Sequence, residues 1–299
     1  MKNFLTFVLL AVATVANAND RQTIGWSFAI SNDSLGDQHD RWQSSSFQLG
    51  YFRGKQWEGS APSQFGELLE YRVRADHLTP EDLALPAPTD RRHAGVLSFG
   101  VHTHFQRSDW EFTAGGDLVA IGPQTGLLDF QEELHRILGF QIPDLDNFQI
   151  EDQFRINLTG EVGRTLDMGD WTMRPFVEVS VGPEDMVRAG VDLSFGNLGR
   201  DDLLVRALAT GHRVPAVRGS DANGTTFILG FDTAWVADSV YLPENLGYEL
   251  TSARSRVRAG FHHERAKFDV FYGLAWLEPE FEAQPSGQFV GTLQVGYKF

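Results

Sequence analysis

Gln131 and His135 stand four residues apart in the stretch Leu127 to Leu138, where apolar residues recur at spacings of three and four before Gly139. That spacing is helical and stacks the amide and the imidazole on one face, flanked by Leu127, Leu134 and Leu138. Such an imidazole is either a hydrogen-bonded core group or, given an orienting partner, a general base. A second polar group comes earlier: Ser31-Asn32-Asp33, then Asp37, His39, Asp40, Arg41 and Ser44. This density of oxygen donors suits a hard cation such as calcium, or ordinary turn chemistry, and its spacing matches no EF-hand loop. A third stretch, Thr79-Pro80-Glu81-Asp82 followed by Asp90-Arg91-Arg92-His93-Ala94-Gly95, reads as a structured loop with a helix start or turn at Pro80.

The elements that must position these groups are strands. Ile24, Trp26, Phe28 and Ile30 alternate with small residues. Phe154, Ile156 and Leu158 alternate with Gln153, Arg155, Asn157 and Thr159, and Val187, Ala189, Val191, Leu193 and Phe195 share one parity against Arg188 and Asp192. Period two is the signature of a half-buried strand. Arg, Glu, Asp and Asn recur on the second face, as a wet lumen permits, and the segments are about ten residues long, the length of a tilted transmembrane strand. A soluble sandwich is the alternative. The segments fall at 23–31, 43–53, 67–77, 94–106, 109–121, 151–164, 170–181, 186–196, 225–237, 249–262, 265–277 and 288–299. The expected fold is all-β: an antiparallel transmembrane barrel of about twelve strands, with a short helix between the fifth and sixth. The long joins 122–150 and 197–224 read as loops around a single barrel.

Targeting agrees. Residues 1–18 carry Lys2, an apolar run from Phe4 to Val15 and the small-residue site Ala16-Asn17-Ala18, the pattern of a cleaved secretory signal, leaving 19–299 as one domain. The alternation of Leu293, Val295 and Tyr297 up to Phe299 resembles the C-terminal signal that the insertion machinery of the Gram-negative outer membrane reads. The net charge of −15 argues against nucleic acid, because phosphate binding needs basic surface. The chain has no Cys, so it has neither disulfide nor thiol chemistry.

Taken in order, the polar clusters resemble the lipid A 3′-O-deacylase (LpxR) family of outer-membrane proteins. The resemblance lies in Asn32-Asp33 at the end of the first strand and Asp40-Arg41 with Ser44 or Ser45 entering the second. It continues through Thr79-Pro80-Glu81-Asp82, the block at 90–95, and Gly122-Pro123 followed by Gln131 and His135. The chain departs from the family's Asp-Arg-Pro-Tyr-Ala-Gly block by carrying Arg92-His93, and the region after the helix, Asp144-Leu145-Asp146-Asn147-Phe148-Gln149, is altered. This marks a divergent member.

The resemblance implies a twelve-stranded barrel that hydrolyses the 3′-linked acyl ester of lipid A with calcium. His135 would activate water, Gln131 would position it, and Asp33 and Ser44 would complete the catalytic group. Asn32 and an acidic residue (Glu151, Asp146 or Asp144) would hold the cation, and Arg91 and Arg92 would meet lipid A phosphates. Serine as nucleophile with His135 as its base is the other mechanism. Two rival functions stand beside this one: a phospholipase-like hydrolase acting on other outer-membrane lipids, and a non-enzymatic barrel, whether a small porin, an adhesion surface or a degenerate relative.

Overall fold

The computed structural model describes residues 21–145, 148–219, 223–265 and 268–297. The expected signal segment, Asp146 and Phe299 lie outside them. The strands are β1 (Gln22–Asn32), β2 (Trp42–Gly54), β3 (Leu69–Thr79), β4 (Ala94–Arg107), β5 (Trp110–Ile121), β6 (Gln153–Gly163), β7 (Leu166–Asp167), β8 (Trp171–Val181), β9 (Glu184–Phe195), β10 (Leu203–Arg206), β11 (Arg213–Val217), β12 (Gly224–Ser239), β13 (Arg254–Arg265), β14 (Phe268–Leu277) and β15 (Gln288–Tyr297). Helix α1 spans Leu127–Leu138 between β5 and β6. Each wall strand pairs antiparallel with its neighbour, β1 meets β15, and β6 meets β8 across the short β7, so twelve strands close a ring. Closure removes the free edges that an open sheet would expose to lipid.

Alternation decides which residues face lipid. Trp26 and Phe28 on β1, Leu97, Phe99 and Val101 on β4, Phe154, Ile156 and Leu158 on β6, and Phe227, Leu229 and Phe231 on β12 are exposed on the outside. The opposite parity buries ions in the lumen. Arg72 donates to Glu70 at 2.8 Å, His104 meets Glu70 at 2.8 Å, and Arg174 pairs with Glu161 at 2.7 Å. Asp232 is wholly buried against Arg256 at 2.9 Å, Arg188 at 3.2 Å and Arg258. No helix among the described residues is long and apolar enough to cross a membrane; the strands do so.

The join 197–224 is more than a surface loop. β10 and β11 form a hairpin whose Val205, Val214, Ala216 and Val217 pack with the inward-facing Ala29, Phe52, Ile228 and Phe271. Polar bonds tie it to the wall. Arg206 reaches Glu161 at 2.8 Å and Asp192 at 3.1 Å, Gln48 donates to the Arg206 carbonyl at 3.0 Å, and Gln294 donates to the Pro215 carbonyl at 2.7 Å. The hairpin plugs the barrel, which is the reverse of what an open porin requires.

Candidate functional site

Register builds the site on the outer wall. In β1 to β4, Asn32 stands opposite Ser45, Ser45 opposite His77, and His77 opposite Gly95. One row further from that rim, Ile30, Phe47, Ala75 and Leu97 repeat the arrangement with apolar side chains. The polar row therefore shares the parity of the lipid-facing residues. A bulge between Gln43 and Ser45 inserts Ser44 as an extra residue, so that two successive serines line one cleft. Next to it Trp42 adopts φ +50°, a left-handed conformation that bulky side chains rarely take, with its indole donating to Asp90 at 3.3 Å.

α1 lies against this row from outside the barrel. Its Gly139 stop is left-handed, φ +74°, and returns an N–H to the His135 carbonyl. Leu128, Gln131 and His135 are its buried residues, whereas Phe130, Leu134, Ile137 and Leu138 are exposed. The leucine stripe expected to enclose Gln131 and His135 thus turns partly outward. In lipid surroundings an apolar face needs no protein cover. Gly95 makes the fit possible, since a Cβ there would stand 2.5 Å from Thr125 Oγ1 and 3.3 Å from Leu127 Cβ. Gly95→Leu should push the helix off the wall and lower activity by roughly tenfold or more, with the barrel's heat-modifiable gel mobility retained; normal turnover would refute the close fit.

Between α1 and the wall lies a cleft of about 690 Å³ lined by Asn32, Asp33, Asp40, Ser44, Gln131 and His135. Apolar Phe47, Leu83, Phe130, Leu134 and Phe140 share the lining. His135 Nδ1 donates to the Gln141 carbonyl at 2.6 Å, which leaves the Nε2 lone pair in the cleft. Nε2 faces Asp40 Oδ2 at 3.3 Å, and Asp40 Oδ1 accepts from Ser44 Oγ at 2.6 Å. Two lone-pair groups facing each other call for a shared proton, water hydrogen or cation. Gln141 is itself held by Asp82, whose Oδ1 accepts from Gln141 Nε2 at 2.7 Å, so the Thr-Pro-Glu-Asp loop supports the histidine from behind.

Asp33 is buried, accepts from the Arg41 backbone N–H at 3.0 Å, and has its carboxyl pushed up to about 8 by burial and then by the nearby Asp40 charge. Arg41 gives its guanidinium to Asp37 and Glu81, both at 3.2 Å. Gln131 Oε1 is buried without a hydrogen-bond partner. Asn32 Oδ1 caps the turn by accepting from the Ser34 N–H at 2.7 Å. A buried carboxyl whose ionised form lacks a counter-charge, beside a second carboxylate and an orphaned amide oxygen, fits calcium. Among the described residues, no three His, Asp or Glu side chains group closely enough to hold a metal by themselves, so amide oxygens would have to share the coordination.

Several expected positions lie elsewhere. Glu151 is exposed at the foot of β6 and does not line the cleft, because β6 begins only at Gln153, opposite Ile121. Asp40 and Asp33 are the aspartates that line the cleft. Arg91 is buried and paired with Glu280 at 2.5 Å, and Arg92 lies over the Phe148 ring at 5.3 Å, so neither guanidinium lines the cleft. Asp90 is a structural knot: its carboxylate accepts from the Glu81 N–H at 2.5 Å and the Arg91 N–H at 2.7 Å.

His93, which stands in place of the family's tyrosine, is fully buried, and burial pushes its imidazole down to about 4. The folded chain keeps it neutral while the unfolded chain titrates near the ordinary value. Its contribution is therefore fully present above about pH 6.5 and lost as pH falls toward 4, on the order of 2–3 kcal/mol. Hydrogen exchange in segments 80–93 and 148–150 should accelerate over that range, and His93→Phe should flatten the response. An unchanged slope in that variant would refute the assignment.

Sequence reasoning missed His77. Its signal was present: an imidazole on the parity of Val73 and Ala75, where lipid-facing strands carry apolar groups. Its Nδ1 lies 2.7 Å from Ser45 Oγ and its Nε2 lies 3.0 Å from the Leu127 carbonyl.

A closed barrel with an apolar outer belt, a plugged lumen and a polar cleft on the lipid-facing wall defines an outer-membrane protein. The family described as outer membrane protein LpxR matches residues 4–299, and the chain belongs to that family. LpxR from Salmonella typhimurium superposes with a TM-score of 0.75 at 17% identity, over 92% of this chain and 100% of that one. The β domain of the Bordetella autotransporter BrkA gives a TM-score of 0.44 at 12% identity, over 93% of this chain and 99% of that one. Among curated proteins none matches the chain.

Proposed function

We propose that the chain is an esterase of the outer leaflet that releases the 3′-linked acyl group of lipid A within lipopolysaccharide. The observation that carries this reading is the His135–Asp40 pair, set over a polar row on the barrel's lipid-facing wall. An acyl chain can enter the half-apolar cleft from the leaflet without crossing water. His135 Nε2 takes a proton from a water that attacks the acyl carbonyl, and Gln131 helps to position that water. The Nδ1 bond to Gln141 holds the tautomer this requires. Ser44 orients Asp40, which stabilises the imidazolium. Asp33, Asp40, Asn32 and Gln131 would hold calcium, which when bound supplies positive charge to a developing oxyanion.

Purified protein should release one acyl chain from lipid A, read by mass spectrometry, and chelation should lower the rate by about tenfold or more. Added calcium should restore it. Release from phospholipid alone, with lipid A left intact, would replace this reading with the phospholipase one.

A further inference from the structure

We propose that Ser45, activated by His77, takes up the acyl group as a covalent ester before water releases it. The inference rests on the reading that the cleft hydrolyses an acyl ester. A carbonyl oxygen only accepts, so the Leu127 contact fixes the proton of His77 on Nε2. The Nδ1 lone pair then receives the Ser45 hydroxyl at 2.7 Å. Nucleophile, base and an orienting third group are thus in line.

Position supports the assignment. Ser45 and His77 both line the cleft, on the strand parity that carries Phe47 and Ala75 one row away, and α1 covers them. His135 is a separate base on the opposite wall, hydrogen-bonded to Gln141 and facing Asp40. Two bases serve two half-reactions. In the first, Ser45 Oγ bonds to the acyl carbon and the carbon–oxygen bond to the sugar breaks. The serine proton passes to His77 Nδ1 and then to the departing sugar oxygen. In the second, a water bonds to the acyl carbon, the Ser45 ester breaks, the water proton goes to His135 Nε2, and a proton returns to Ser45 Oγ. The sum is ester plus water giving acid plus alcohol.

The test uses full-length protein in detergent, with refolding checked by heat-modifiable mobility. His135→Ala incubated with lipid A should release one equivalent of deacylated sugar and retain an acyl mass on Ser45, removable by hydroxylamine. A long-chain fluorophosphonate should label Ser45 in the wild type, with labelling lost in His77→Ala. Ser45→Cys should form the corresponding thioester. A folded Ser45→Ala protein that releases acyl chains within tenfold of the wild-type rate would overturn the proposal. So would a His135→Ala protein that carries no adduct after incubation. If the wild type leaves lipid A untouched while Ser45 is labelled in a His77-dependent way, the nucleophile stands and the substrate assignment falls.

Discussion

His135→Ala is expected to lower acyl release from lipid A by about 10²–10⁴-fold while the barrel stays folded. The side chain is a strut as well as the proposed base: Nδ1 donates to the Gln141 carbonyl and the ring meets Phe140 edge-on at 5.7 Å. His135→Asn retains a donor for Gln141 but offers no imidazole. Comparing the two variants separates loss of base from loss of support. If the asparagine variant turns over like the wild type, the histidine acts only in packing. Substitution of Asp40 should also weaken catalysis, because it removes both the partner of the imidazolium and one of the proposed calcium ligands.

The largest stability effect is expected from Asp232→Ala, a loss of about 3–5 kcal/mol. Asp232 is wholly buried and faces Arg188, Arg256 and Arg258. Its removal leaves guanidinium groups stranded in the lumen. A urea midpoint in refolding lipid should drop accordingly, and Arg256→Leu added to the same chain should recover part of the loss, since neighbouring charges couple. A midpoint within 1 kcal/mol of wild type would mean that water or the plug compensates the missing carboxylate.

The ring of strands was legible because alternation leaves a direct trace, and all twelve wall strands fall close to the segments predicted from it. The β10–β11 hairpin was not. Its runs are short, Pro215 interrupts one of them, and an apolar segment that packs inside a lumen has no periodic mark to separate it from a loop. Gln131 and His135 were visible by helical spacing and do line the cleft with Asn32, Asp33 and Ser44. Their pairing was hidden: Asp40 reaches His135 only through folding of the loop before β2, Gln141 meets it through the turn after α1, and His77 meets Ser45 and the Leu127 carbonyl only through strand register. Glu151 was misplaced since sequence order brings it near the helix, whereas the β6 register holds it at the strand's foot. Arg91 and Arg92 resembled phosphate binders by type alone, and Glu280 and Phe148 engage them.

The cleft over the polar row of Asn32, Ser45 and His77 lies on the lipid-facing wall, so for the proposed esterase encounters with substrate would happen in two dimensions. Turnover should then follow the mole fraction of substrate among neighbouring lipids and stay indifferent to the bulk volume in which vesicles are suspended. Dilution with inert lipid slows such a protein; dilution with buffer does not.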